Sequence, residues 1–114
     1  MKLDPTNLTV HHLDDFQIVL KEDEFLGYAA IDETGICRAF GAVFIENDGR
    51  AWAMVDGSVP MPWWGPLYAA RVFTILDELG LEVFATCDKS IRGAEDLMVF
   101  LGFEPIPGKV EWKR

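Results

Sequence analysis

The stretch Phe100-Leu101-Gly102-Phe103-Glu104-Pro105-Ile106 decides the fold. An apolar segment with helical spacing stops at a glycine, and an aromatic residue and a strand-like run follow at once. Gly102 is placed to end the helix, because glycine enters the left-handed region without a Cβ penalty. Phe103 then points back into the core.

Working outward, Ile91, Ala94, Leu97, Met98 and Leu101 form the apolar stripe of that helix. Asp88 or Ser90 suits its N-cap. Residues 81–87 are a short β-rich run between two helical segments, the position of a central buried strand. The earlier helix carries Ala69, Val72, Phe73, Leu76 and Leu79 on one face, with Pro66 in its first turn and Gly80 at its end. Pro60, Pro62, Gly65 and Pro66 break the pattern between residues 57 and 66.

Upstream, residues 25–31, 37–46 and 50–56 read as strands. Asp32-Glu33-Thr34-Gly35 and Asn47-Asp48-Gly49 are the turns between them. Such short turns imply an antiparallel meander. Trp52, Met54 and Asp56 share one face of the third strand, and Ala51, Ala53 and Val55 the other. Residues 1–15 read as polar and irregular, with a short strand around 16–20. After Phe103, residues 103–106 and 109–113 read as a closing hairpin. The fold class is therefore α+β, a mixed α/β sheet in the order β-β-β-α-β-α-β-β. An antiparallel meander is followed by a parallel β-α-β crossover, expected to be right-handed, and a C-terminal hairpin.

The chain has 114 residues, which suits one domain spanning 1–114. Half the residues are hydrophobic and 12% aromatic, enough for a real core. A domain this small buries a limited fraction of its surface, and a partner chain, a homodimer in the simplest case, would add to its stability. No run of about 18 apolar residues predicts a membrane span, and the N-terminus lacks a signal-like apolar region. Two cysteines, Cys37 and Cys87, make neither a disulfide framework nor a metal pattern. They read as small buried apolar side chains, and a reducing cytoplasm is the simplest setting. Acidic residues outnumber basic ones by 19 to 10. That excludes a nucleic-acid backbone binder, which needs clustered Lys and Arg. The acidic surface attracts basic partners or amine substrates, or serves solubility.

The element order and the Leu-Gly-Phe-Glu-Pro end resemble the core of the GCN5-related N-acetyltransferases. The topology is similar over roughly residues 24–113, and the motif from Ala94 to Phe103. Ala94 stands eight residues before Gly102, as the family's alanine does. The compact form looks most like small acetyltransferase-like proteins of bacteriophages and prophages. The resemblance implies acetyl-CoA or another acyl-CoA as co-substrate and acyl transfer to an amine. It implies a bulge in the strand before the main helix, with Val55, Gly57, Ser58 and Val59 along the pantetheine arm. The helix N-terminus, with Trp64, Gly65 and Leu67, would then hold the pyrophosphate, and residues 85–88, ending in Asp88, would form the second wall.

The sequence departs from the family at several of these places. The family loop reads Arg/Gln-x-x-Gly-x-Gly/Ala; here it is Pro62-Trp63-Trp64-Gly65-Pro66-Leu67. Pro66 removes an N–H where donors are wanted, and Arg71 lies about a turn further on. Ile91 stands where the family commonly has Asn, and Met98 where it has the Tyr that acts as general acid. Tyr68 is the tyrosine near enough in sequence to substitute.

Asp56 is the candidate general base, or else a turn residue before Gly57. His11 and His12 are a candidate pair, but adjacent histidines near a chain end are more often solvated. No metal is expected. Trp63 and Trp64 read as an aromatic lid or contact patch, or as packing under the sheet and over the helix start. Ser58 lacks a nucleophile motif and Cys87 a base partner. Lys89 and Arg92 either meet phosphates or are solvated. Two readings stand: an acyl-CoA-dependent N-acyltransferase, or a non-catalytic binding or structural protein on the same fold.

Overall fold

A computed structural model describes residues 2–21, 24–46, 49–87, 89–90 and 92–114. Its elements are β1 (Asp4–Asn7), α1 (Val10–Asp14), β2 (Phe25–Ile31), β3 (Cys37–Ile45), β4 (Arg50–Gly57), α2 (Gly65–Glu78), β5 (Glu82–Thr86), α3 (Ala94–Phe100), β6 (Glu104–Pro105) and β7 (Glu111–Lys113). They form one seven-stranded sheet in the order β1-β2-β3-β4-β5-β7-β6. β4 and β5 are parallel, joined through α2, and the other neighbours are antiparallel. From residue 25 onward this is the expected order. No helix among the described residues is long and apolar enough to cross a membrane.

The N-terminal expectations need correction. Residues 4–7 pair with β2, where Pro5 is tolerated because the strand lies at the sheet edge. The short strand expected around 16–20 is absent, and a five-residue helix precedes that stretch instead. Its start is fixed by Thr9, whose N–H donates to His12 Nδ1 at 3.0 Å. His12 thus takes the place usually held by Glu or Gln in a capping box, while His11 is exposed. Asn47, Asp48, Asp88 and Ile91 lie outside the described residues, and with them part of the second turn, one proposed cap and one stripe position.

The turn between β2 and β3 is held by Asp32, whose side chain is 5% exposed. Its Oδ1 accepts from the Thr34 hydroxyl at 2.6 Å, the Thr34 N–H at 2.9 Å and the Ile36 N–H at 3.1 Å. Its Oδ2 accepts from Arg38 Nε at 2.7 Å. These bonds favour the ionised form, and Thr34 and Arg38 hold the carboxyl well below the usual range.

Both longer helices end in the same way. In α2, Gly80 (φ 69°) is followed by Leu81, whose N–H reaches Leu76 O at 3.2 Å. In α3, Gly102 (φ 86°) donates to Val99 O at 3.0 Å, and Phe103 N–H reaches Met98 O at 2.9 Å. These are Schellman ends, which satisfy otherwise orphaned carbonyls and turn the chain sharply. Phe103 is 3% exposed and meets Phe73 edge-on at 5.5 Å, as the reading of the Gly-Phe pair requires. The α3 start differs from expectation. Its N-cap is Gly93 at φ 83°, not Asp88 or Ser90, so the helix begins only at Ala94.

The two sheet faces are covered unequally. Val43, Ala51, Val83 and Ala85 face Val72, Phe73 and Leu76 of α2, with Phe103 and Trp112 completing that core. On the other face, Leu8 and Leu13 from the α1 region cover Phe25, Ala29, Phe40 and Ala42 of β2 and β3. Arg114 fastens the far edge. Its backbone N–H donates to Val83 O, Nε to Leu101 O at 2.8 Å, and NH1 reaches Asp77.

Two outcomes check these assignments. Gly102→Ala places a Cβ at positive φ and should lower the unfolding free energy by about 1–2 kcal/mol, read as a lower urea midpoint with an unchanged slope. Asp32→Asn should lower the melting temperature at neutral pH. Because the folded pKa is depressed, the parent's advantage is complete above the unfolded value near about 4 and shrinks as pH falls below it. A constant gap between the two melting curves from neutral pH to acid would contradict this.

Candidate functional site

Backbone pairing builds the site. β4 keeps one register with β3 from Ala51↔Ile45 to Gly57↔Ala39. The pairing extends beyond both ends, since Glu46 N–H donates to Arg50 O at 2.8 Å and Ser58 N–H to Arg38 O at 2.9 Å. Antiparallel ladders alternate, so even-numbered residues from 50 to 58 bond to β3 and odd-numbered ones point toward β5. β5, however, pairs with β4 only from Arg50↔Glu82 to Trp52↔Phe84. Its later residues, Ala85 and Thr86, pair with Trp112 and Glu111 of β7. Beyond Trp52, where Ala53 N–H makes the last bond to Phe84 O, the two strands splay apart, and the Ala53 carbonyl and the backbone groups of Val55 and Gly57 face the gap.

The unbroken register corrects one expectation: there is no bulge at Asp56-Gly57-Ser58. Gly57 is explained by close approach instead. A Cβ there would sit 2.5 Å from Ala39 Cβ and 2.8 Å from Arg38 O.

A cleft of about 1390 Å³ opens from the splay beneath the N-terminal half of α2. Its inner wall is apolar, with Ala53, Val55, Val72, Phe73, Ala85 and Met98 contributing. Asp56, Arg92 and Asp96 are the charged side chains that line it among the described residues.

The residues singled out from sequence are distributed around this cleft. Val55 is 57% exposed, and its N–H points into the gap. Gly57 N–H also points that way but donates to Asp56 Oδ1 at 2.8 Å. Ser58 faces β3 with its N–H, and its hydroxyl donates to the same Arg38 carbonyl at 3.3 Å. Val59 packs with Ala30, Ala39 and Trp64. Asp56 is exposed on the sheet face opposite α2, across from Phe40. Asp88 lies outside the described residues. Ala53, which sequence reasoning passed over, shares the parity of Val55. A backbone group leaves no mark on residue type, so only the register reveals it.

The start of α2 is closely packed. Trp64 is 8% exposed and donates from Nε1 to Leu3 O at 3.0 Å, whereas Trp63 is 83% exposed. One tryptophan therefore packs against the sheet and the other stands in solvent at the cleft rim. Tyr68 meets Tyr28 edge-on at 4.5 Å and Trp64 at 5.3 Å, and the Arg71 guanidinium lies 4.7 Å from its ring centre. Its ring is thus directed toward β2. Leu67 is exposed. Gly65 is close to Met61, whose Cγ would lie 2.7 Å from an added Cβ.

Cys37 is buried, and desolvation pushes its thiol up, which suits an inert side chain. Cys87 is half-buried. Among the described residues no group of three or more His, Cys, Asp or Glu is placed to hold a metal.

This sheet, with two parallel central strands parting over a cleft, is the fold of the GCN5-related N-acetyltransferases. The chain is similar to the phosphinothricin acetyltransferase of Sinorhizobium meliloti, solved in complex with acetyl-CoA, at TM-score 0.65 and 12% identity over 100% of this chain and 88% of that one. It is similar to an acetyltransferase of the same family from Staphylococcus aureus, at TM-score 0.63 and 10% identity over 98% of each chain. The spermidine N-acetyltransferase of Vibrio cholerae, a dodecamer, matches at TM-score 0.59 and 10% identity over 98% of this chain and 90% of that one. At such identities the likeness is one of fold. No family model matches the chain, and no curated protein matches it significantly.

Proposed function

We propose that this chain is an acyl-CoA-dependent N-acyltransferase, moving an acetyl or other acyl group from a thioester to an amine. The observation that carries the reading is the splay beyond Trp52 and Phe84. It leaves the carbonyl of Ala53 and the strand-type donor and acceptor of Val55 open to an extended ligand, as at the edge of a sheet. A pantetheine arm, with its two amides, is such a ligand.

The gap opens to both sheet faces, which separates the two reactants. The thioester enters from the α2 side. The Val55 N–H is the donor available to its carbonyl oxygen and to the oxyanion that develops there. The amine approaches from the opposite face, where Asp56 accepts its proton directly or through a water. The new C–N bond forms, the C–S bond breaks, and the thiolate takes a proton from Tyr68 or from solvent.

A specific observation also favours the second reading, a non-catalytic protein on this fold. The first turn of α2 offers no open backbone donor among the described residues, since those of Gly65, Leu67 and Tyr68 are all bonded and Pro66 has none.

Calorimetry with acetyl-CoA separates the two. Binding is expected, and the absence of heat or thermal shift at millimolar ligand would leave the non-catalytic protein as the answer. Val55→Pro removes a donor that β3 does not use, so the β3–β4 ladder survives. It should weaken acetyl-CoA binding about threefold to tenfold with an unchanged far-UV spectrum, and unaltered affinity would move the ligand elsewhere.

For turnover, Asp56→Asn should lower kcat/KM about 100-fold or more with a polyamine acceptor. Tyr68→Phe keeps the ring stack and removes only the hydroxyl. A fall in kcat identifies it as the thiolate's acid; an unchanged kcat assigns that proton to solvent.

A further inference from the structure

The rim of the cleft has a chemistry that does not match the nucleotide end of CoA. At the start of α2, Gly65 N–H donates to Pro62 O at 2.9 Å. Pro66 has no N–H. The donors of Leu67 and Tyr68 both go to Trp64 O, at 3.1 and 3.2 Å. A helix N-terminus holds phosphate through N–H groups left unpaired, and residues 65–68, the first turn of α2, leave none. Among the described residues, the charged side chains lining the cleft are Asp96 and, on the sheet face opposite α2, Asp56, against one guanidinium, Arg92. Arg71, the nearest cation on α2, sits over Tyr68. The whole chain carries a net charge of −9. In place of a phosphate cradle the rim presents Met61, Trp63 and Leu67, which are 38%, 83% and 54% exposed.

Only the inner half of the cleft has a ligand chemistry of its own. It is apolar, with a strand edge that offers the Ala53 C=O followed by the N–H and C=O of Val55. That pattern fits amides spaced along a flexible chain. It gives no counter-charge to a diphosphate.

We infer that the cleft recognises its donor through the acyl-pantetheine arm alone, and that the phosphoadenosine end contributes no affinity. The inference rests on the reading of the splay as a thioester site. A pantetheine thioester without its nucleotide is then as good a ligand as the CoA thioester. The apolar rim is left to face whatever group carries the arm.

The test compares acetyl-CoA with S-acetylpantetheine by calorimetry on the intact protein. Dissociation constants within about fivefold of each other are expected, with no weakening for acetyl-CoA as salt is raised. Tighter binding of acetyl-CoA beyond that margin overturns the inference while leaving the thioester site in place. If neither ligand binds, the thioester reading itself fails, and this inference with it.

A gain-of-function variant checks the cause. Pro66→Ala with Leu67→Arg restores one helix donor and adds a cation at the rim. It should tighten acetyl-CoA about tenfold and leave S-acetylpantetheine unchanged. Equal behaviour of parent and variant toward acetyl-CoA would show that the rim is not what sets the preference.

Discussion

β4 has two neighbours and can follow only one of them. It stays bonded to β3 along its whole length, past Gly57 to the Ser58–Arg38 contact. β5 is drawn the other way by β7, which pairs with it from Phe84 to Thr86. The parallel contact between β4 and β5 therefore ends after three residue pairs. Everything that resembles a site follows from this divided allegiance. It opens the cleft, exposes backbone groups in the middle of a sheet, and leaves α2 bridging a gap. Sheets do not ordinarily leave such groups unpaired, because a buried backbone donor without a partner is costly. An internal opening of this kind is a ready place for an extended ligand.

The two sides of the opening are built differently. On the α2 side, Val72 and Phe73 line the base of the cleft, while Trp64 and Tyr68 are locked by ring contacts and by the bond to Leu3. That packing holds the helix start in one place, and the N–H groups of Gly65, Leu67 and Tyr68 are taken by the carbonyls of Pro62 and Trp64. On the opposite face the covering layer is small. The five-residue α1 reaches β2 and β3, and Trp52, Met54 and Asp56 of β4 stay partly or largely open. Asp56 is therefore open to solvent on that face.

Much of this was legible because it rests on residue type. Gly80 and Gly102 sit where helices must reverse, and Asp32-Glu33-Thr34-Gly35 carries its own turn chemistry. The alternation of Ala51, Ala53 and Val55 with Trp52, Met54 and Asp56 places the faces correctly. Other features depend on partners distant in sequence. β1 is an edge strand of four residues including a proline, and only pairing with β2 makes it one. α1 was hidden because a histidine does the work of a capping glutamate. Gly57 suggested a bulge, yet the glycine serves a close approach to Ala39 within a regular ladder. The Ala53 carbonyl and the Val55 donor belong to the backbone, so no side-chain pattern could announce them. The family resemblance found the sheet and its Ala94–Phe103 segment, while the bonding of the α2 start required coordinates.

The position of β7 has a consequence for how the chain reaches this form. β7 follows β6 in sequence but lies inside it, between β6 and β5. Until residues 111–113 have been synthesised and docked, β5 has an unpaired edge and β6 has nothing to join. β2, β3 and β4 are joined by short turns and pair locally, whereas β5 meets β7 only across α3 and β6, a long-range step that topology makes slow. The cleft is therefore a late product of folding. A nascent chain lacking those residues has no force pulling its central strands apart.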